Sequence, residues 1–180
     1  MPNRFHYLAL GSNIRSQYYV PAMIDQWARV FGHVYLGPLF STDPVGVILD
    51  AGWPEPKDIE SKFVNACFAI SAPEQWVDEQ WCKGFAKLLE AALGRPLDLP
   101  NRRLVSRTID VDYLFSDAAD VAGYLRQQES YSCLGLEHLL QHTQPHLRPA
   151  TPHQPQSDCE RAQHISKHDF MMASNIDFVW

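Results

Sequence analysis

The sequence predicts an α+β fold. Apolar runs of strand length alternate with two stretches of helical periodicity, and a glycine follows each of those two stretches. The resulting order of strand, helix, strand, strand, helix, strand is the split βαβ pattern. We therefore expect a ferredoxin-like βαββαβ core over residues 1–117, with two helices on one face of an antiparallel sheet. Residues 118–180 form a divergent, irregular C-terminal extension that is expected to be partly disordered.

The first half of the core contains two strands and a helix. The apolar run FHYLALGS (Phe5–Ser12) leads into a Gly-Ser-Asn turn and predicts a buried strand. Apolar residues at helical spacing predict a helix over about Val20–Phe31, which Gly32 ends. The segment His33–Thr42 predicts a second strand, bent at Gly37-Pro38.

The second half repeats this arrangement after a long loop over residues 43–60. KFVNACFAIS (Lys62–Ser71) predicts the third strand, and residues 74–95 predict a helix that Gly94 ends. The apolar side of that helix is expected to hold Trp76, Trp81, Phe85, Leu88, Leu89 and Ala92. An arginine-rich loop then leads to the fourth strand, Arg107–Phe115.

The extension has weaker patterns. Leu134–His142 is compatible with a short helix, and the Pro- and Gln-rich stretch after it indicates a poorly ordered linker. The last residues, 169–180, are compatible with a docked strand or helix or with a loose tail. The histidine pairs His138/His142 and His164/His168 are four residues apart, but a zinc site needs about four ligands, so solvated histidines are the better interpretation.

Composition narrows the function classes. The net charge of −6 argues against a nucleic-acid binder, and no apolar run approaches the length of a membrane span. The four cysteines are scattered, and the N-terminus lacks a signal-like apolar segment, so reduced thiols and a cytoplasmic location are expected. A monomer or a weak homodimer is the expected oligomeric state.

The stretch RTIDVDYLF (Arg107–Phe115) carries the main chemical signal. It has the composition of an interior strand, yet Asp110 and Asp112 lie two positions apart and so share one face. Two carboxylates at this spacing repel each other, and a divalent cation would relieve that repulsion. Two solvated carboxylates on an exposed face are the plain alternative.

Arginines surround this strand in the sequence. They are suited to bidentate contacts with phosphate, so paired carboxylates beside guanidinium groups indicate a metal-dependent phosphoryl-transfer site. A surface charge remains the plain alternative for any one of them. The four are Arg95, Arg102, Arg103 and Arg107.

Five motifs in a fixed order indicate a family. The chain resembles the 6-hydroxymethyl-7,8-dihydropterin pyrophosphokinase (HPPK) family, as a divergent member with an atypical C-terminal region. The motifs are ALGSN (Ala9–Asn13), FSTDPVG (Phe40–Gly46), FVNA (Phe63–Ala66), LLEAALGR (Leu88–Arg95) and RTIDVDYLF.

The resemblance implies the transfer of pyrophosphate from ATP to 6-hydroxymethyl-7,8-dihydropterin in folate biosynthesis, with release of AMP. By position, Asp110 and Asp112 match the ligands of two Mg²⁺ ions. ATP-binding positions are matched by Glu90, Arg95, Arg103 and Arg107, of which Arg95 and Arg107 are the catalytic candidates. The pterin-binding positions are matched by Thr42, Val45, Phe63 and Asn65, with Phe63 stacking on the ring. The expected partners are therefore small molecules, ATP and a pterin, and neither nucleic acid nor a membrane.

The departures from the family pattern define a second hypothesis. Asp43 replaces a usual proline, the loop after Gly46 is longer, and Leu104-Val105-Ser106 precedes Arg107 where Trp-Gly-Pro is usual. The family's C-terminal catalytic block is not recognisable. The alternative is therefore a catalytically degenerate or altered-substrate relative that binds pterin or nucleotide without normal turnover. A ferredoxin-like regulatory or RNA-binding module is a third hypothesis, which the acidic Asp-bearing strand disfavours.

Overall fold

The structure, a computed structural model, describes residues 3–44, 58–96, 106–116, 135–144, 163–165 and 176–178. In this part the chain has a mixed α+β fold with a largely antiparallel sheet and three helices. The elements are β1 (Asn3–Ile14), α1 (Ser16–Phe31), β2 (Val34–Leu36), β3 (Leu39–Thr42), β4 (Ile59–Pro73), α2 (Glu79–Ala92), β5 (Asp110–Ser116), α3 (Leu136–Thr143), β6 (Gln163–Ile165) and β7 (Ile176–Phe178).

The sheet is built around β1 and β4, whose pairing extends from Asn3 opposite Pro73 to Ile14 opposite Ile59. The strand order is β5-β1-β4-β2-β7, while β3 pairs with the same side of β4 as β2 and carries β6 on its other side. Every pairing is antiparallel except that of β2 with β7. The predicted α+β class and antiparallel core are confirmed. The second predicted strand is interrupted at Gly37-Pro38 and forms β2 and β3.

Helices α1 and α2 cover one face of the sheet. Fully buried Trp27 lies at the centre of this core, with its ring 5.4 Å from that of Phe68 on β4 and 4.8 Å from that of Phe85 on α2. Ile109 and Val111 pack into the same core, as their alternation with the two aspartates predicts. The aspartates therefore project from the other face.

Both helices begin elsewhere than predicted. Helix α1 begins at Ser16, where the Glu60 side chain of β4 accepts hydrogen bonds from the Ser16 backbone N–H (2.7 Å) and hydroxyl (2.6 Å). Helix α2 begins only at Glu79, because Asp78 caps it by accepting a bond from the Trp81 N–H (2.7 Å).

Four of the six residues assigned to the apolar side of α2 are exposed: Trp76, Trp81, Leu88 and Ala92. Trp76 precedes the helix in a turn and is 72% exposed, and Leu88 lies on the solvent side and is 71% exposed. The helix contributes Cys82, Ala86 and Glu90 as its buried residues. Trp76 was misplaced because the predicted start of the helix was five residues too early. The other three lie within α2 but off the face that holds its buried residues.

The composition of strand β5 had predicted an interior strand, but the structure does not place it there. Within the described residues it lies at one end of the strand order and pairs with β1. Its apolar side chains pack under the helices, which accounts for its composition without a strand on each side. The predicted strand also begins later, at Asp110.

Helix α3 packs on the second face of the sheet and agrees with the short helix predicted near Leu134–His142. Leu136, Leu139 and Leu140 are buried there against a cluster that includes Tyr7 and Cys67. This second cluster also contains Ala9, Ala69, Leu114 and Phe115. A third helix on this face was not part of the predicted core.

Cys67 and Cys82 are buried, while Cys133 and Cys159 lie outside the described residues. The reduced state of the thiols stays a prediction. Burial, reinforced by the charges of Asp78 and Glu79, raises the pKa of the Cys82 thiol to about 12. None of the helices described is both long and apolar enough to cross a membrane.

Candidate active site

The candidate site lies on the second face of the sheet, where β4, β1 and β5 run side by side. Gly11 of β1 is directly opposite Asn65 on β4 and opposite Asp110 on β5. Ala9 is opposite Asp112 in the next row on this face. Because directly opposed residues project from the same side of a sheet, Asn65, Asp110 and Asp112 share one face. Asn65 of the predicted pterin site and both predicted metal ligands therefore belong to one surface.

A cluster of charged side chains forms where α2 ends against β5. Glu90 is fully buried, and Arg95, whose side chain is 5% exposed, donates from Nη1 to Glu90 Oε2 (2.8 Å). The same Arg95 nitrogen contacts Asp110 Oδ1, and Arg107 Nη1 contacts Asp110 Oδ2. The backbone N–H of Val111 donates to Glu90 Oε1 (3.0 Å), which fixes α2 to the strand. Three of the four predicted ATP-binding residues are thus in contact around Asp110.

The two aspartates have opposite electrostatic environments. Burial acts to raise the pKa of Asp110, but the positive charges of Arg95 and Arg107 outweigh it, and the pKa lies below its ordinary value. Asp112 is exposed to solvent, and within the described residues its carboxylate has no hydrogen-bond or ion-pair partner. Protein atoms still desolvate its carboxylate, and this effect, followed by the charge of Asp110, raises its pKa. The predicted repulsion between the two carboxylates therefore appears as a raised pKa of Asp112.

Lys87 is a member of the charged cluster that the sequence did not indicate. Its Nζ lies 2.8 Å from Glu90 Oε1 and 3.7 Å from Asp110 Oδ1. Its charge also lowers the pKa of Asp112 against the effects that raise it. A lysine among other charged residues of a helix surface gives no signal of this role, because only the fold brings β5 beside α2.

Three of the predicted pterin-binding residues lie together on β3 and β4. Thr42 is opposite Phe63 in the pairing of these strands, and Asn65 Nδ2 donates to Thr42 Oγ1 (2.7 Å). Phe63 is 9% exposed, and the guanidinium carbon of Arg107 lies 5.4 Å from the centre of its ring. This distance is within the range of a cation–π contact. Arg107 therefore contacts both Phe63 and Asp110.

Gly11 leaves space between these groups. A Cβ atom at this position would lie 3.0 Å from Asn65 Oδ1, closer than side chains normally approach. The absence of a side chain on β1 lets the Asn65 amide occupy the space between the strands.

The Gly-Ser-Asn turn positions the segment before β5. Asn13 Oδ1 accepts from the Arg107 backbone N–H (2.8 Å), and Asn13 Nδ2 donates to buried Ser106 Oγ (3.0 Å). The Ser12 hydroxyl contacts the carbonyl oxygen of Thr108. The motif was noted in the sequence, but its role became visible only when residues more than 90 positions apart were paired.

The remaining candidates divide by location. Val45 and Arg103 lie outside the described residues, as do Arg102, Leu104 and Val105. On α3, His138 and His142 are exposed, which agrees with solvated histidines. For the second pair, His164 is described only as part of β6, and His168 lies outside the described residues.

Asp110 and Asp112 fit a magnesium site of the kind that uses one or two carboxylates together with water and substrate phosphates. Both are oxygen donors on one face, and Asp112 is open to solvent. Among the described residues no group of three or more His, Cys, Asp or Glu side chains could hold a metal ion, so a cage made of protein ligands alone is not seen there.

The comparison with protein families agrees with the resemblance. The model of the family described as 7,8-dihydro-6-hydroxymethylpterin-pyrophosphokinase (HPPK) matches residues 7–154. A search of curated proteins found no match to the chain. The family match includes Gly11, the strand that carries Asn65, the end of α2 and the aspartate pair. The chain belongs to the HPPK family.

Proposed function

We propose that this protein transfers the pyrophosphoryl group of ATP to 6-hydroxymethyl-7,8-dihydropterin, with release of AMP, in a Mg²⁺-dependent reaction of folate biosynthesis. Family membership supports pyrophosphoryl transfer as the class of reaction. The single observation that carries the proposal is the position of Arg107, which contacts Phe63 on the pterin side and Asp110 on the nucleotide side. The two substrates must meet at such a point for transfer to occur.

On the nucleotide side, Arg95 and Arg107 are the residues proposed to bind the phosphates. Their guanidinium groups are suited to bidentate contacts with phosphate oxygens and balance the charge that develops during transfer. Glu90 holds Arg95 in place through a buried ion pair. Arg103 is proposed to add a further contact from the preceding loop.

Asp110 and Asp112 are the proposed ligands of two Mg²⁺ ions. When bound, Mg²⁺ would neutralise phosphate charge and orient the phosphates of ATP. The aspartates themselves provide the oxygen ligands on β5, beside the arginines that contact the phosphates.

On the pterin side, Asn65 offers a donor and an acceptor to the heterocycle from one amide group. Thr42 holds that amide through its hydroxyl, and Phe63 provides an aromatic surface for the ring. Val45 is proposed to complete the pocket. The exocyclic hydroxymethyl group would then point along the sheet face towards Arg107.

We further propose that the core is ferredoxin-like. The antiparallel order β5-β1-β4-β2, with α1 and α2 on one face, supports this assignment. The boundary of the core at residue 117, the cytoplasmic location and the oligomeric state stay predictions.

A second candidate function is a relative that binds ligand without normal turnover. The contacts of Arg95 and Arg107 with both carboxylate oxygens of Asp110 favour it, because a transferase would need these arginines for the phosphates. In that case pterin or nucleotide would bind without release of AMP.

The test is an AMP-release assay with ATP, Mg²⁺ and 6-hydroxymethyl-7,8-dihydropterin, with pterin binding followed by fluorescence in the same samples. Asp112→Asn is the informative variant, because Asp112 is exposed and its loss leaves no buried charge unpaired. We expect it to lose about 100-fold or more in kcat, as removal of a charge-stabilising group does. Asp110→Ala is expected to abolish AMP release, with circular dichroism used to check its fold.

Asp25→Asn, which breaks a surface pair with Arg29 on α1, is the control of equal charge change. It should retain full activity. Pterin binding without AMP release in the parent chain would favour the second candidate function. If the parent chain neither bound pterin nor released AMP, both candidate functions would be contradicted.

A further inference from the structure

Lys87 is the cation of the charged cluster that lies nearest to solvent. Its side chain is 45% exposed, whereas those of Arg95 and Arg107 are 5% and 18% exposed. Its ammonium group still reaches the buried Glu90 and approaches Asp110.

We propose that Lys87 is a positioning residue: it acts as the resident counter-cation of the Asp110–Asp112 pair and thereby sets the affinity of this pair for a divalent metal ion. The inference rests on the proposed function, since it concerns the metal site named there. It concerns the state before nucleotide binds, in which protein cations alone balance the carboxylates.

The charges of the cluster support this role. Among the described residues, Glu90, Asp110 and Asp112 contribute three negative charges, and Lys87 is one of three cations that face them. Arg95 is held by Glu90 and Asp110 deep in the cluster, and Arg107 is held by Asp110 and stacks over Phe63. A metal ion approaching from solvent would therefore meet Lys87 as the cation that can move aside.

The position of Lys87 near Asp110 Oδ1 also sets the direction of its effect. An ammonium group and a divalent ion that share carboxylates repel each other. Removing the ammonium charge should therefore tighten metal binding in the absence of nucleotide. If Lys87 only supported the helix, its removal would leave metal affinity unchanged or weaken it.

Substitution of Lys87 should leave the fold intact. Glu90 keeps two other partners, the guanidinium group of Arg95 and the backbone N–H of Val111, so its buried charge stays satisfied. Glutamine is one atom shorter than lysine and uncharged, and its amide retains hydrogen-bonding capacity towards Glu90.

The test is titration of the full chain with Mn²⁺ alone, with free Mn²⁺ measured by electron paramagnetic resonance. Lys87→Gln is expected to lower the dissociation constant about three- to fivefold, the effect of a partly solvent-screened charge. Lys87→Arg, which keeps the charge, should bind Mn²⁺ like the parent chain.

Lys83→Gln is the matched control. Lys83 lies one turn earlier on α2 and pairs with Glu79, so it does not belong to the cluster. Its substitution by glutamine removes the same net charge as Lys87→Gln. The Lys83→Gln protein should bind Mn²⁺ with the same affinity as the parent chain. Equal tightening in both glutamine variants would mean a general charge effect and would overturn the role of Lys87, as would unchanged or weaker binding in Lys87→Gln.

Asp112→Asn separates failure of this inference from failure of the proposed metal site. Loss of Mn²⁺ binding in this variant would show that the ion binds at the aspartate pair, so a negative Lys87 result would then count against Lys87 alone. Parent-like Mn²⁺ binding by Asp112→Asn would instead place the ion elsewhere. It would overturn the proposed metal site and the Lys87 inference together.

Discussion

At the scale of single residues, Gly11 is the position where the smallest change should affect the site. A methyl group there would lie 3.0 Å from Asn65 Oδ1, and Asn65 is held on its other side by Thr42. We expect Gly11→Ala to displace the amide and weaken pterin binding about three- to tenfold, the value of one hydrogen bond. Fluorescence titration with the pterin measures this change.

Gly84→Ala provides the comparison for Gly11→Ala. Gly84 lies on the exposed side of α2, where an added Cβ meets no atom within 4 Å. This variant should keep its pterin affinity and gain about 0.5–1 kcal/mol in stability, because alanine favours a helix over glycine. Equal pterin affinities in the two variants would show that the space at Gly11 is not needed for the ligand.

Individual site residues were predictable to different extents. Asp110 and Asp112 were identified because two carboxylates two positions apart conflict with an apolar strand. Lys87 and Asn13 were not identified as site residues, because a lysine on a helix and an asparagine in a turn are common and solvated in most proteins. Their partners, Asp110 and Arg107, are brought to them only by strand pairing.

At the scale of elements, the start of α1 depends on a side chain from another strand. Glu60 of β4 accepts two hydrogen bonds from Ser16, and its negative charge lies at the positive end of the helix dipole. We expect Glu60→Ala to lower the free energy of unfolding by about 2 kcal/mol, since two bonds to a charged acceptor are lost. Urea unfolding followed by circular dichroism measures the change.

Glu60→Gln tests the same contact more gently. Its amide oxygen can still accept from the Ser16 N–H, so it should recover part of the stability that Glu60→Ala loses. A Glu60→Ala protein as stable as the parent chain would rule out this cap.

The elements were easier to predict than their ends and neighbours. Strand and helix types follow from local periodicity, which predicted α1, α2 and four strands, the second of which is divided into β2 and β3. The start of α1 was missed because its cap comes from Glu60, 44 residues away. Within the part of the chain that the structure describes, β5 lies at one end of the strand order. This position was missed because packing under two helices gives such a strand the same apolar composition as an interior one.

At the scale of the whole molecule, α3 connects the extension to the core. Leu139 is fully buried on the second face of the sheet, and the Tyr7 hydroxyl is hydrogen-bonded to Thr143 Oγ1 (2.6 Å). We expect Leu139→Ala to lower the free energy of unfolding by about 2–5 kcal/mol, through lost burial and the cavity that remains. Chemical denaturation should show one transition shifted to lower denaturant.

Leu88→Ala is the matched substitution at the surface of α2. Leu88 is 71% exposed, so its loss should change stability by no more than about 0.5 kcal/mol. If Leu139→Ala behaved like Leu88→Ala, the packing of α3 on the sheet would not contribute to the stability of the fold.

The overall arrangement could be predicted only in part. The alternation of strands and helices predicted the α+β class and two helices on one face. This alternation did not predict which half of the second face of the sheet is covered by α3. Three leucines of α3 cover the rows of Tyr7 and Ala69, while the rows of Gly11 and Asp110 lie beyond that cluster. Such long-range packing leaves no local periodic signal in the extension.

The central position of β1 has a consequence for how the chain acquires its fold. β1 precedes both of its partner strands in the chain, but its pairing with β5 joins His6 to Ser116, and its pairing with β4 joins Asn3 to Pro73. Contacts between residues so distant in sequence slow folding, because a long loop must close before the contact forms. During translation, both edges of β1 therefore stay unpaired until first β4 and then β5 has been synthesised. We expect this interval to be when the nascent chain depends most on chaperones.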